Sequence, residues 1–288
     1  MKKLLQLYGL KWNPFGQEVP AEALLWTPRL ESFGWRLEHL ARDGGFAAVI
    51  GDPGTGKSST MRLAADRLGR LRDVVVGAIT RPQAGIADFY RELGDLFSVP
   101  LAPHNRWAGA KALRETWRGH IQAALLRPVL LFDEAQEARP EVLHELRLLA
   151  SADLDARSIL TVVFAGDRCF QENLRRPDLL PLDSRLRPKL LLEAAAREEL
   201  GLVLRNALDK AGAPKLMTSE LATTLIEHAG GNLRTLMQMA NDLLLAAAER
   251  EADKLDEKLY FDVLATAPAS SEKARSSKSA AQQKLLPR

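Results

Sequence analysis

Gly51-Asp52-Pro53-Gly54-Thr55-Gly56-Lys57-Ser58 places glycine, lysine and a hydroxyl at the G-x-x-x-x-G-K-[ST] spacing. Glycines let successive backbone N–H groups turn inward around a phosphate, where side chains would obstruct them. Lys57 is placed to reach β- and γ-phosphates, and the Ser58 hydroxyl to bind Mg²⁺. Ser59 follows at the start of the expected helix, whose positive end favours the same anion. The alternative, an accidental glycine turn, leaves the lysine and hydroxyl unexplained. The expected ligand is ATP with Mg²⁺.

A second group sits at Pro128-Val129-Leu130-Leu131-Phe132-Asp133-Glu134, an apolar run ending in two carboxylates. Two acids at the edge of a hydrophobic strand are costly unless a cation or a water needs them. Beside a phosphate loop, Asp133 serves Mg²⁺ through water and Glu134 polarises the water that attacks the γ-phosphate. Alone, such a strand end reads as a helix cap. A small-molecule kinase needs no water-activating glutamate, so the second acid points to hydrolysis.

Both groups need strands that end together. Apolar runs predict strands at Phe46–Ile50, Val74–Ile79, Val129–Phe132 and Ile159–Ala165, with a shorter one at Lys189–Leu192. Between them, helical spacing appears at Leu30, Phe33, Leu37 and Leu40, from Lys57 to Arg70, from Ala84 to Arg127 with a break around Pro100 and Pro103, and after Pro140. Strands alternating with helices imply an α/β fold, a parallel sheet covered on both faces. From Ala194 onward only helices are predicted. Thr218 caps one that Gly230-Gly231 stops, Leu233 to Ala247 carries the apolar stripe of a second, and Leu255–Leu264 forms a third. The expected divisions are 1–42, an N-terminal lead and helix; 43–193, the nucleotide-binding domain; 194–266, a small all-helical lid; and 267–288, a disordered basic tail.

The hydrophobic share of 46% and charged share of 27% are those of a soluble globular chain, and no apolar run is long enough to cross a membrane. Met1-Lys2-Lys3-Leu4-Leu5 imitates the start of a signal peptide, but Gly9 and Lys11 break it at once. The single cysteine, Cys169, forms no internal disulfide and fits a cytoplasmic protein. Of the net +3, the stretch from Ala267 contributes +4, through Lys273, Arg275, Lys278, Lys284 and Arg288 against Glu272, leaving the rest at −1. Such a tail either touches nucleic acid or an anionic surface, or is a solvated end.

Together, the phosphate loop, the strand ending Asp133-Glu134-Ala135-Gln136 and the helical C-terminal part resemble AAA+ ATPases of the ExeA type. Tyr8-Gly9-Leu10-Lys11-Trp12-Asn13-Pro14-Phe15 is similar to the Y-G-L and N-P-F opening of that group, and the resemblance runs over about residues 8–265. It implies further roles. Asp167, after the strand ending at Gly166, falls at the first sensor position, where the family has a neutral polar residue. Ser184-Arg185 resembles a clamp-loader arginine finger that reaches a neighbouring subunit's γ-phosphate, with Arg187 in reserve and a plain surface arginine as the alternative. Gly231-Asn232-Leu233-Arg234 resembles the second sensor, with Arg234 turned to the nucleotide.

The group includes secretion ATPases, which carry a transmembrane segment and a peptidoglycan-binding region, and transposon ATPases similar to the phage Mu B and IstB proteins. The shorter form met here is similar to the transposon branch. That resemblance implies a homo-oligomer, as a ring or helical filament, that assembles on duplex DNA, selects a target and recruits a transposase. Arg106 begins a predicted helix on which Lys111, Arg114 and Arg118 fall on one face, and these four either follow a phosphate backbone or are solvated. A cytoplasmic secretion or assembly ATPase acting on protein partners is the alternative reading.

Overall fold

The computed structural model describes residues 2–101, 106–124, 126–153 and 156–263. Two helices, α1 (Lys2–Tyr8) and α2 (Pro28–Asp43), precede β1 (Gly45–Gly51), α3 (Lys57–Gly69) and β2 (Val74–Ile79). Then come α4 (Ile86–Phe97), α5 (Arg106–Ala124), β3 (Arg127–Phe132) and α6 (Pro140–Ala150). A small antiparallel hairpin, β4 (Ser151–Ala152) and β5 (Arg157–Ser158), leads to β6 (Thr161–Gly166), α7 (Arg168–Asn173), α8 (Leu180–Asp183) and β7 (Leu186–Leu192). The last part holds α9 (Arg197–Ala211), α10 (Ser219–Ala229), α11 (Leu233–Glu249) and α12 (Glu257–Val263).

The five long strands form a parallel sheet in the order β2-β3-β6-β1-β7. Strand alternation divides their side chains between two cores. Phe46, Ala48 and Ile50 of β1 join Leu130, Phe132, Val162 and Phe164 on the face covered by α4 to α7. Ala47 and Val49 join Val129, Leu131, Val163 and Ala165 on the face covered by α2 and α3. Burial on both faces explains why β1, β3 and β6 read as unbroken apolar runs. The α/β class is as expected, and β7 begins three residues earlier than predicted, at Leu186.

The helical part has its own core, built on Leu200, Leu204, Leu221, Leu225, Leu236 and Leu243. Thr218 does cap α10, accepting from the Leu221 N–H at 3.3 Å, and Gly230 ends that helix with φ +55°. The segment before residue 42 divides between the two cores. Leu4, Leu10 and Phe15 pack into the helical part, while Phe33 and Leu37 of α2 pack on the sheet. Lys11 N donates to Ala211 O at 2.9 Å, and the Tyr8 hydroxyl to Ala252 O at 2.9 Å, tying the N-terminal segment to α9 and to the turn after α11. Residues 267–288, the expected basic tail, lie outside the described residues.

Candidate nucleotide site

β1 lies between β6 and β7 and ends at Gly51, where the chain folds back over the strand ends before α3 begins at Lys57. A Cβ on Gly51 would lie 2.6 Å from both Leu192 O and Thr55 Oγ1, so only glycine fits. Gly54 and Gly56 have φ of +85° and +98°, the left-handed region that turns their N–H groups inward. Thr55 closes the turn by donating its hydroxyl to Asp52 O at 2.8 Å.

Lys57 is only 7% exposed, and its Nζ donates to Gly51 O at 2.9 Å and Asp52 O at 3.2 Å. Among the described residues it makes no ion pair. An ammonium held in the protein against neutral carbonyls alone is a charge awaiting an anion. Ser58 and Ser59 are exposed at the first turn of α3, while Thr60 and Met61 are buried beneath them. The loop therefore fits a polyphosphate, with Gly51, Asp52, Pro53, Gly54, Thr55, Gly56, Lys57, Ser58 and Ser59 around it.

β3 ends two strands away at the same edge of the sheet, separated from β1 by β6. Asp133 and Glu134 follow it directly. The Asp133 carboxylate accepts from Glu134 N at 2.9 Å, and Glu134 takes the left-handed conformation at φ +51° with its side chain exposed. Among the described residues, no group of three or more His, Cys, Asp or Glu is placed to hold a metal ion alone. Mg²⁺ takes one or two protein ligands and completes its shell with phosphates and water. Ser58 would be the direct ligand, with Asp133 holding the ion through water.

The helical part closes on the loop. Asn232 Nδ2 donates to Pro53 O at 3.1 Å, and Arg234 N donates to Gly54 O at 3.2 Å, so Arg234 stands at the phosphate loop with its guanidinium exposed. Sequence reasoning placed Arg234 here but passed over Asn232, whose Oδ1 also caps α11 by accepting from Thr235 N at 3.1 Å. It also passed over Arg168 and Gln136. Arg168 donates to Asp52 Oδ2 at 2.6 Å, and Gln136 bridges Glu134 to the start of α7. The Asp167 carboxylate caps α7, accepting from Phe170 N at 3.2 Å, a local reason for an acid at the expected sensor position.

Arg185 stands at the other end of the sheet. The Phe46↔Leu186 and Gly51↔Leu192 pairings put all of β7 between it and the phosphate loop, roughly 20 Å at the usual rise per residue. That exceeds the length of an arginine side chain, so Arg185 cannot serve the nucleotide of its own chain. It lines a cavity of about 870 Å³ at the strand starts with Arg42, Arg118, Arg127, Arg157 and Arg187, against Asp43 and Asp153. Arg147 lines it too, and its Nε is buried without a hydrogen-bond partner.

The basic face of α5 lies against α6 and the β4–β5 hairpin. Arg106 pairs with buried Glu145, which also accepts from the Tyr90 hydroxyl at 2.5 Å. Burial, and then that bond, push the Tyr90 pKa well above its ordinary value. Arg114 donates to Ser151 O at 2.6 Å, and Arg118 pairs with Asp153 at 3.7 Å. Lys111 pairs loosely with Glu115 at 3.8 Å and lies over the exposed Trp107 ring. The stripe is real, but its charges are met locally.

A parallel sheet in this order, helices on both faces, a glycine-rich loop after β1 and a helical part docked on that loop define an AAA+ ATPase fold. Residues 40–174 match the family model of an AAA domain. Over 258 residues the chain is 30% identical to General secretion pathway protein A of Aeromonas hydrophila, a match covering 87% of this chain and 46% of that protein. This chain thus spans less than half the length of that relative. Among solved structures it is similar to Cdc6p from Pyrobaculum aerophilum, with TM-score 0.68, 16% identity, and coverage of 87% and 70% of the two chains. Drosophila ORC bound to DNA gives TM-score 0.64 at 18% identity, covering 94% of this chain and 67% of that one. At such identities the structural likeness is one of fold, and with the secretion-protein relative it supports an AAA+ core of the ExeA-like kind. No described helix is long and apolar enough to cross a membrane.

Proposed function

We propose that this chain is a Mg²⁺-dependent ATPase that assembles in its ATP-bound form and acts on duplex DNA as a transposition regulator, selecting a target and recruiting a transposase. The observation that carries the ATP reading is Lys57, buried and opposed only by backbone carbonyls inside a glycine cradle. In this reading Lys57 neutralises the β- and γ-phosphates, Arg234 approaches from the helical part, and Glu134 takes a proton from the attacking water. Ser58, and Asp133 through water, would hold the metal, which when bound would neutralise charge on the phosphate oxygens. Arg185 completes the site of a neighbouring copy, in a ring or helical filament, because its own site is out of reach. The arginine-lined cavity around it supports this head-to-tail contact, offering an anionic neighbour an excess of cations.

DNA enters through the resemblance to the transposon branch, the α5 stripe and the basic tail. Drosophila ORC, a fold neighbour, is itself bound to DNA. A second reading is favoured by the General secretion pathway relative: an ExeA-like secretion or assembly ATPase that moves protein partners. Electron microscopy of the protein with duplex DNA, with and without a non-hydrolysable ATP analogue, separates them. Nucleotide-dependent rings or filaments on DNA, with DNA-stimulated hydrolysis, support the first. Assembly indifferent to DNA at low salt supports the second.

A further inference from the structure

Gln136 lies on the one-turn 3-10 helix Ala135–Glu137, directly after Glu134. Its Nε2 donates to Glu134 Oε2, and its Oε1 accepts from Asp167 N at 3.3 Å. A carboxylate only accepts and a backbone N–H only donates, so these two partners fix the orientation of the amide. The Glu134 side chain is exposed, and the amide is the side-chain group seen to hold its carboxylate. The backbone beneath is already unusual, because a non-glycine residue at φ +51° is held there by its surroundings. Ala135, 1% exposed, anchors the turn in the core.

The other end of the amide is equally well held. Asp167 begins α7, and Phe170 one turn later is fully buried beside the Phe164 ring at 5.6 Å between centroids. A Cβ on Gly166 would meet Phe170 Cβ at 2.7 Å, so α7 sits hard against the end of β6. From its first residue, Arg168 reaches Asp52 of the phosphate loop at 2.6 Å. The start of α7 thus reaches both ways, Arg168 to the phosphate loop and the Asp167 N–H to Gln136 and, through it, Glu134.

We propose that Gln136 is the positioning residue for Glu134, aiming its carboxylate and tying that aim to the phosphate loop through the start of α7. The proposal rests on the reading of Glu134 as the group that polarises the attacking water. Replacing the amide leaves the phosphate cradle intact but frees the carboxylate, and a misplacement on the order of 1 Å costs up to about 100-fold in rate.

The test is a double-mutant cycle on Gln136→Leu and Glu134→Gln, measuring kcat, single-turnover rate and ATP affinity by calorimetry, with amide exchange at Asp167. Gln136→Leu should lower kcat by roughly 10- to 100-fold while ATP affinity stays within about twofold, and the Asp167 N–H should exchange faster. In the Glu134→Gln background, the residual single-turnover rate should not change on adding Gln136→Leu, because the amide acts only through Glu134. Gln136→Asn, too short to span both partners, should repeat the loss if the leucine variant folds poorly. An unchanged kcat in both Gln136 variants, or losses that simply add across the cycle, overturns the proposal. If Glu134→Gln alone hydrolyses at the wild-type rate, the fault lies with the reading of Glu134 instead.

Discussion

Lys57 shows how one side chain can declare a ligand. Its ammonium sits among carbonyls that could have been left to water, and it gains full value only when phosphate oxygens arrive. Lys57→Ala removes two hydrogen bonds to loop carbonyls and the charge that, in this reading, meets the phosphates. The variant should fold with unchanged circular dichroism and lose at least about 100-fold in ATP affinity by calorimetry, roughly 2.7 kcal/mol. Affinity near wild type would remove the site assignment. The turn of the loop was legible because the glycine spacing dictates it, Gly54 and Gly56 taking the left-handed conformation. Arg168, Asn232 and Gln136 were not, because each acts on a partner far away in sequence: Asp52, Pro53 and Asp167. Arginine, asparagine and glutamine in surface stretches carry no periodic signal to mark them.

At the scale of elements, legibility follows burial. β1, β3 and β6 are covered on both faces and announced themselves as apolar runs. α1 did not, since its seven residues are too few to show a period and its apolar side chains find their partners in the helical part far along the chain. Each strand of the β4–β5 hairpin has two residues and no pattern to read. Asp167 shows an element-scale demand appearing at a site position. As the cap of α7, Asp167→Ala should cost about 1 kcal/mol in urea unfolding, while Asp167→Asn, which keeps an acceptor, should cost only a few tenths. If Asp167→Asn instead leaves stability alone and alters the hydrolysis rate, the sensor role implied by the family is the operative one. Thr218→Ala, at the cap of α10, is the control: a similar loss of stability with no change in ATP affinity.

At the scale of the whole molecule, the two ends of one sheet differ in charge, with Asp52, Asp133 and Glu134 at one and the arginine-lined cavity at the other, as the proposed shared site requires. Hydrolysis per subunit should therefore rise with protein concentration. On the DNA reading, binding should weaken steeply with salt, in proportion to the phosphates neutralised. Lys111→Glu is the gentler probe of the α5 face, because Arg114 also holds Ser151 O. It should lower affinity for all duplexes alike and reduce the salt slope by about one. If only removal of residues 267–288 weakens binding, the tail is the contact and the α5 face is solvated.

The most direct test of the shared site mixes two inactive variants. Lys57→Ala subunits lack a nucleotide but keep Arg185, and Arg185→Ala subunits bind ATP but offer their neighbours no finger. Each alone should hydrolyse ATP at least about 100-fold more slowly than wild type, and their mixture should recover a substantial part of the rate. A mixture as inactive as its components, or an Arg185→Ala protein that turns over like wild type on its own, contradicts an ATP site built from Lys57 of one copy and Arg185 of the next.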